Sequence, residues 1–245
     1  MAVPRFFSSR PLTPAQVGGT VELDEAAAHH ATRVLRLAVG DALALFDGDG
    51  GEYAATLLRA DKRGATVHVL RFDGIDRESS LDVTLAQGIA ANDAMDQTVR
   101  KATELGVTAI QPLVTARSAP WPAGERGDKR LVHWRQIAIA ACEQCGRNRI
   151  PAIAPPQSLA EWLAAWPGSG IVFAPDADRS IAGIAQMPSP LAVFIGAEGG
   201  FDARELAAIR GRGYAAVRVG PRVLRTDTAA IAGLALLQSM WGDWR

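Results

Sequence analysis

Two stretches near the C-terminus constrain this chain more than anything else in its sequence. Leu191-Ala-Val-Phe-Ile195 is an unbroken apolar run followed by Gly196-Ala-Glu-Gly-Gly200, and a helical pattern then runs from Ala203 to Arg210. Tyr214–Val219 repeats the scheme, with Gly220-Pro-Arg-Val-Leu-Arg-Thr226 as its loop and a last helix from about Asp227 to Met240. Short apolar runs bounded by glycine read as buried strands. Each joint therefore turns a strand into a helix and leaves backbone N–H and C=O groups at the turn. Two such joints side by side make a main-chain floor that can hold a polar small molecule. Gly196, Gly199 and Gly200 permit positive φ and close approach of a ligand to the backbone. Asp202 and Thr226 are placed to cap the helices that follow. Two well-made turns with no ligand are the plain alternative.

Upstream, the same alternation continues. Leu81–Ala86 reads as a strand, and Asp93–Leu105 as a helix with Met95, Val99, Ala102 and Leu105 along one side. Val107–Leu113 is a strand, Asp128–Gln144 a long helix and Gly170–Ala174 a further strand. Strands alternating with helices predict a mostly parallel sheet covered on both faces.

The first 75 residues follow a different rhythm. A helix is expected from its cap Asp24 to about Leu37, then strands at Ala42–Phe46, Glu52–Leu58 and Thr66–Phe72, separated by the turn signals Asp47-Gly-Asp-Gly-Gly51 and Asp61-Lys-Arg-Gly64. Closely spaced strands with one helix predict a small β-barrel-like module. The polar stretch Asp73–Ser80 reads as a linker, which sets the expected domains at 1–75 and 76–245.

Several chemistries are excluded. The Asp47 loop fails as a calcium site, because Glu52 stands where a glycine belongs and Leu58 where the bidentate glutamate belongs. Cys142 and Cys145 supply at most two of the four ligands of a structural zinc, and they read as small half-buried side chains. His29 and His30, about 100° apart on a helix, do not easily chelate one ion and read as packing or as facing a partner. No Gly-x-Gly-x-x-Gly follows the first strand of the α/β region. The formal net charge of zero argues against coating nucleic acid non-specifically, although local arginine clusters remain available. No apolar run approaches a membrane span and the start lacks a signal-peptide pattern, so the cytoplasm is the expected compartment.

The two C-terminal loops, Gly-Ala-Glu-Gly-Gly-Phe201 and Gly220-Pro-Arg-Val-Leu-Arg-Thr-Asp-Thr-Ala229, resemble the paired signatures of the 16S ribosomal RNA uridine-N3 methyltransferases of the SPOUT superfamily. Further matching blocks are Arg5-Phe-Phe7, His29-His30 with Val34-Leu-Arg36, Phe46-Asp-Gly48 with Tyr53, Lys101-Ala-Thr-Glu-Leu-Gly-Val107 and Glu143-Gln-Cys-Gly-Arg147. Two positions depart from the pattern: Ala197 stands where proline is usual and Asp227 where glutamate is usual. Alanine can adopt proline's φ without being locked to it, and Asp227 keeps a negative charge at a helix N-terminus.

The resemblance implies an α/β fold with a C-terminal trefoil-knot methyltransferase domain and an N-terminal PUA-like domain. It implies S-adenosylmethionine as methyl donor, held by Phe173, Ala174, Gly196, Ala197, Glu198, Gly199, Gly200, Val219, Gly220, Leu224, Arg225, Thr226 and Ala229. It implies methylation of N3 of uridine 1498 of 16S rRNA in the small ribosomal subunit. Arg225 is then expected to orient or charge-stabilise the uracil. Glu198 is expected to position its loop or accept a hydrogen bond, with a purely structural anchor as the equal alternative. Arg5, Arg10, Arg33, Arg36, Arg117 and Arg147 are candidates for RNA contact, each also readable as a solvated surface arginine. A homodimer is implied, with Trp241 and Trp244 as candidates for burial between subunits, and no metal is expected. The alternatives are a related methyltransferase with another RNA target, or an RNA-binding module that has lost catalysis.

Overall fold

The computed structural model describes residues 3–61, 64–185 and 187–244. The chain divides into two compact units. The first comprises Met1–Glu78 with Cys142–Ile150, and the second Ser79–Ala141 with Pro151–Arg245.

In the first unit, β1 (Arg5–Phe7), β2 (Thr20–Glu22), β3 (Ala42–Phe46), β4 (Glu52–Asp61) and β5 (Gly64–Asp73) form one sheet in the order β1-β3-β4-β5-β2. β1 runs parallel to β3, and the other pairings are antiparallel. Alternation explains β4: Tyr53, Ala55 and Leu57 point inward and meet Val67 and Val69 of β5 in the core. Helix α1 (Glu25–His29) continues as a π-helical turn over His30–Val34 and closes that core with Ala27, Ala28 and Ala31. His30 packs edge-on against Phe6, with ring centroids 5.8 Å apart.

The end of the long helix and the residues after it, Cys142–Ile150, belong to this unit, although nothing in the sequence pattern announces it. Arg5 hydrogen-bonds the Arg147 carbonyl at 2.9 Å and Asn148 at 2.5 Å, and is paired with Glu52. The Phe7 N–H donates to Glu143 at 2.9 Å, and Arg147 pairs with Glu78. The polar stretch expected as a linker is thus used on both counts, since the Ile75 carbonyl accepts from Asn148 and Glu78 holds Arg147.

In the second unit, β6 (Val83–Gly88), β7 (Ala109–Val114), β8 (Ala152–Ile153), β9 (Gln157–Ser158), β10 (Ser169–Phe173), β11 (Arg179–Ser180), β12 (Leu191–Ile195) and β13 (Ala215–Arg218) make one sheet. Its order is β11-β13-β10-β12-β6-β7-β8, with β9 also on β7, and every pairing among the described residues is parallel. All five residues of β12 are buried, Ala192 and Phe194 within a cluster that includes Trp162, Leu163 and Ile209, and the strand accordingly reads as an unbroken apolar run. Helices α2 (Asn92–Glu104), α3 (Glu125–Cys145), α4 (Leu159–Ala165), α5 (Ala203–Gly211) and α6 (Thr226–Trp241) complete the chain. Met95, Val99 and Ala102 form the buried stripe of α2, as their spacing predicts.

The mixed α/β class with a mostly parallel sheet and a small β-rich N-terminal module is therefore as expected. After β13, beyond β10, the chain turns into α6 and returns to pack against α2 and β12. A trefoil knot requires a C-terminal return of this kind.

Candidate functional site

Ligands of open parallel sheets gather at the carboxyl ends of the strands, where chains leave in different directions. Here β10, β12 and β13 end together, and the loops that follow them enclose a cavity of about 340 Å³. Phe173 and Ala174 come from β10 and the residue after it, and Gly196–Gly200 from the loop after β12. Val219, Gly220 and Leu224 come from the loop after β13, and Thr226 and Ala229 from the first turn of α6. All positions singled out for donor binding line it except Arg225. That residue is exposed and stands as the N-cap of α6, between two lining residues.

The loops are built to approach one another closely. Gly200 has φ +66°, and a Cβ on Gly196 would lie 2.7 Å from the Gly200 backbone, so any side chain there would displace main chain. Gly88 at the end of β6 is under the same restriction, since its Cβ would meet the Ala197 nitrogen at 2.6 Å. Ala197 in the proline position is buried, and its carbonyl accepts from the Gly200 N–H at 2.9 Å, closing the turn.

Side-chain hydrogen bonds tie this loop to its neighbours. Glu198 Oε1 accepts from the Ala91 N–H at 2.7 Å, at the start of α2. Arg117 Nη1 donates to the Gly199 carbonyl at 2.7 Å, and its side chain lies 3.0 Å from where a Gly199 Cβ would be. Arg117 also lines the cavity, although the sequence placed it among the RNA contacts. Its neighbour Ala116 donates to Glu205 Oε1 at 2.7 Å, while Glu205 and Asp202 cap α5 reciprocally.

Behind the cavity lies a residue the sequence reading missed. Gln87 is fully buried, and its Nε2 donates to Thr226 Oγ1 and to the Gly88 carbonyl, both at 2.9 Å. The Thr226 hydroxyl in turn donates to the Gly196 carbonyl at 2.6 Å. The available signal was an amide closing a run of buried strand residues, since most buried polar side chains are held by hydrogen bonds; here Nε2 is bonded while Oε1 has no partner among the described residues.

Leu206 and Arg218 also line the cavity and were not foreseen, as do Asp176, Arg222 and Val223, which lie in the expected loops without having been named singly. Leu206 comes from α5, Asp176 from the loop after β10 and Arg222 from the loop after β13. Of the other arginines considered, Arg10, Arg33 and Arg36 are exposed on the first unit. Arg5 and Arg147 are instead held inside it, with side chains 11% and 6% exposed. Trp241 is buried within its own unit, whereas Trp244 is 52% exposed.

A family model described as an RNA methyltransferase domain matches residues 77–238, and one described as an RNA methyltransferase PUA domain matches residues 23–70. The chain is 31% identical over 230 residues to the ribosomal RNA small subunit methyltransferase E of Buchnera aphidicola subsp. Schizaphis graminum, covering 93% of this chain and 94% of that protein. This decides the family. The chain belongs to the ribosomal RNA small subunit methyltransferase E family. The Neisseria gonorrhoeae member, solved bound to S-adenosylmethionine, superposes with a TM-score of 0.91 at 36% identity, with 100% of both chains covered. A Legionella pneumophila methyltransferase, solved with bound S-adenosylmethionine, gives 0.93 at 35% identity, covering 99% of this chain and 100% of that one. The cavity suits the same group. Its size is that of a small-molecule site, and its glycines leave room against the backbone. S-adenosylmethionine is the cofactor of this family site. Among the described residues no helix is long and apolar enough to cross a membrane.

Proposed function

We propose that this chain methylates N3 of uridine 1498 of 16S rRNA in the small ribosomal subunit. The observation that carries the reading is the cavity of three loops at the ends of β10, β12 and β13, in a chain that aligns end to end with relatives holding S-adenosylmethionine. When bound, S-adenosylmethionine supplies an electrophilic methyl group on sulfur. The chain's own contribution is to hold, orient and charge-match.

N3 of uracil bears a proton at neutral pH. It becomes a nucleophile only as that proton leaves and negative charge spreads over the ring. A cation beside the cavity favours that charge. Arg225, exposed at the N-cap of α6 and flanked by the lining residues Leu224 and Thr226, takes this role. Glu198 takes the role of loop anchor, because its carboxylate is committed to the Ala91 N–H. The glycine-lined floor receives the adenosine part through main-chain groups.

The division of labour places RNA binding on the N-terminal part, residues 1–75, and methyl transfer on residues 76–245. Arg10, Arg33 and Arg36, exposed on the first unit, serve as phosphate contacts there. The active form is a cytoplasmic homodimer in which exposed Trp244 adds to the buried surface.

The test is reconstitution of small subunits around 16S rRNA carrying cytidine in place of uridine 1498. The reading expects labelled methyl incorporation into normal subunits and none into the substituted ones. Equal incorporation into both would point to a different nucleotide.

A further inference from the structure

We propose that Gln87 is a positioning residue for the methyl-donor site, acting through Thr226. The inference rests on the donor-binding reading of the cavity and adds a residue that does not line it. Three separate parts of the chain meet at this amide: the end of β6, the loop after β12 and the start of α6. Gln87 Nε2 reaches Thr226 Oγ1 at 2.9 Å and the Gly88 carbonyl at 2.9 Å, with the Gly196 carbonyl farther off at 3.4 Å. Thr226 must therefore accept from Gln87 with its oxygen and give its own proton to Gly196, at 2.6 Å. The direction of every bond is fixed, because an amide nitrogen and a carbonyl oxygen cannot exchange roles.

The consequence for the site is geometric. Gly196 and Thr226 both line the cavity and lie on different walls, so one buried hydroxyl sets the distance between them. Gln87 holds that hydroxyl in the rotamer that points at Gly196. The neighbouring Gly88 lets the two chains close to a separation that no side chain would allow. Gln87 is 0% and Thr226 6% exposed, so water does not compete for these bonds. Leucine would fill the same space without tying the walls together.

The experiment measures the dissociation constant of S-adenosylmethionine by calorimetry, well below the melting temperature, for the full chain and for Gln87→Leu, Thr226→Val and Thr226→Ser. The proposal expects at least a tenfold weaker donor affinity in Gln87→Leu and in Thr226→Val. Thr226→Ser, which keeps the hydroxyl, recovers most of what Thr226→Val loses. The double variant Gln87→Leu/Thr226→Val should be no weaker than the worse single one, since both break one chain of bonds. Lowered melting temperatures with donor affinity within twofold of the parent would overturn the proposal and leave Gln87 a purely structural residue. Additive losses in the double variant would also overturn it. Should Gln87→Leu not fold, Gln87→Asn, whose shorter amide falls short of Thr226, takes its place with the same expected loss and the same overturning result. Failure of the parent chain itself to bind the donor would instead refute the reading of the cavity.

Discussion

Glu198 and Ala91 are joined by a 2.7 Å hydrogen bond in which the carboxylate caps the start of α2 from a loop 107 positions further along the chain. Under the proposed function this carboxylate is an anchor for the donor loop rather than a proton acceptor for the substrate. Glu198→Gln keeps an acceptor oxygen, so turnover should stay within about threefold of the parent, with the pH profile unmoved. Glu198→Ala removes the cap, a change worth about 1 kcal/mol at helix N-termini, and should weaken donor binding several-fold. Loss of turnover in Glu198→Gln with donor affinity intact would make the residue a base.

Arg225 lies outside the cavity lining, at the N-cap of α6. Arg225→Ala should leave donor affinity within about threefold while lowering the single-turnover methylation rate by roughly 100-fold or more, the scale of a lost charge-stabilising group. Parallel loss of donor binding would show that it serves the donor instead.

Arg117 is bonded to the Gly199 carbonyl and lies against Gly199. Its replacement by alanine should weaken S-adenosylmethionine binding measurably. The salt dependence of RNA binding should stay as it is. A phosphate contact would instead lower the slope of log K against log salt by about 0.7–0.9.

Glu52 sits between Arg5 and Arg77. Burial opposes its charge, but the Arg77 hydrogen bond and the positive charges of Arg5 and Arg77 outweigh that and hold its carboxyl below the ordinary range. A depressed carboxyl contributes stability that is present above its unfolded value, about 4.3, and is lost as pH falls through the folded one. Thermal unfolding followed from pH 6 to pH 3 should therefore show a shallower acid decline in Glu52→Gln. An unchanged decline would mean that other carboxyls carry the acid sensitivity. Glu143 works in the opposite sense, because burial raises its carboxyl despite the Phe7 N–H.

What the sequence made legible follows from local physics. Leu191–Ile195 could be bounded to the residue because this strand, buried along its whole length, is apolar at every position and is followed at once by Gly196. The stripe of α2 could be read because its period is that of a helix meeting one neighbour. Helix α4 escaped notice although Ser158 and Glu161 form a capping box before Trp162 and Leu163, a signal that was there to be read. Strands β1 and β2, three residues each, are too short for alternation to show.

The allegiance of Cys142–Ile150 to the first unit was not legible, because it depends on Arg5 and Glu78 finding partners far along the chain. The donor loops were visible from their glycines. Gln87 was not, and Arg117 was read only as an RNA-contact candidate, because each reaches the site from a strand end that sequence spacing does not connect to it.

The most direct measurement is methyl transfer from labelled S-adenosylmethionine to small subunits isolated from cells lacking this gene, followed by digestion and identification of the modified nucleoside by mass. The account predicts one 3-methyluridine per subunit, at uridine 1498. No incorporation by a preparation that binds the donor, or a methyl group on another base, would contradict it.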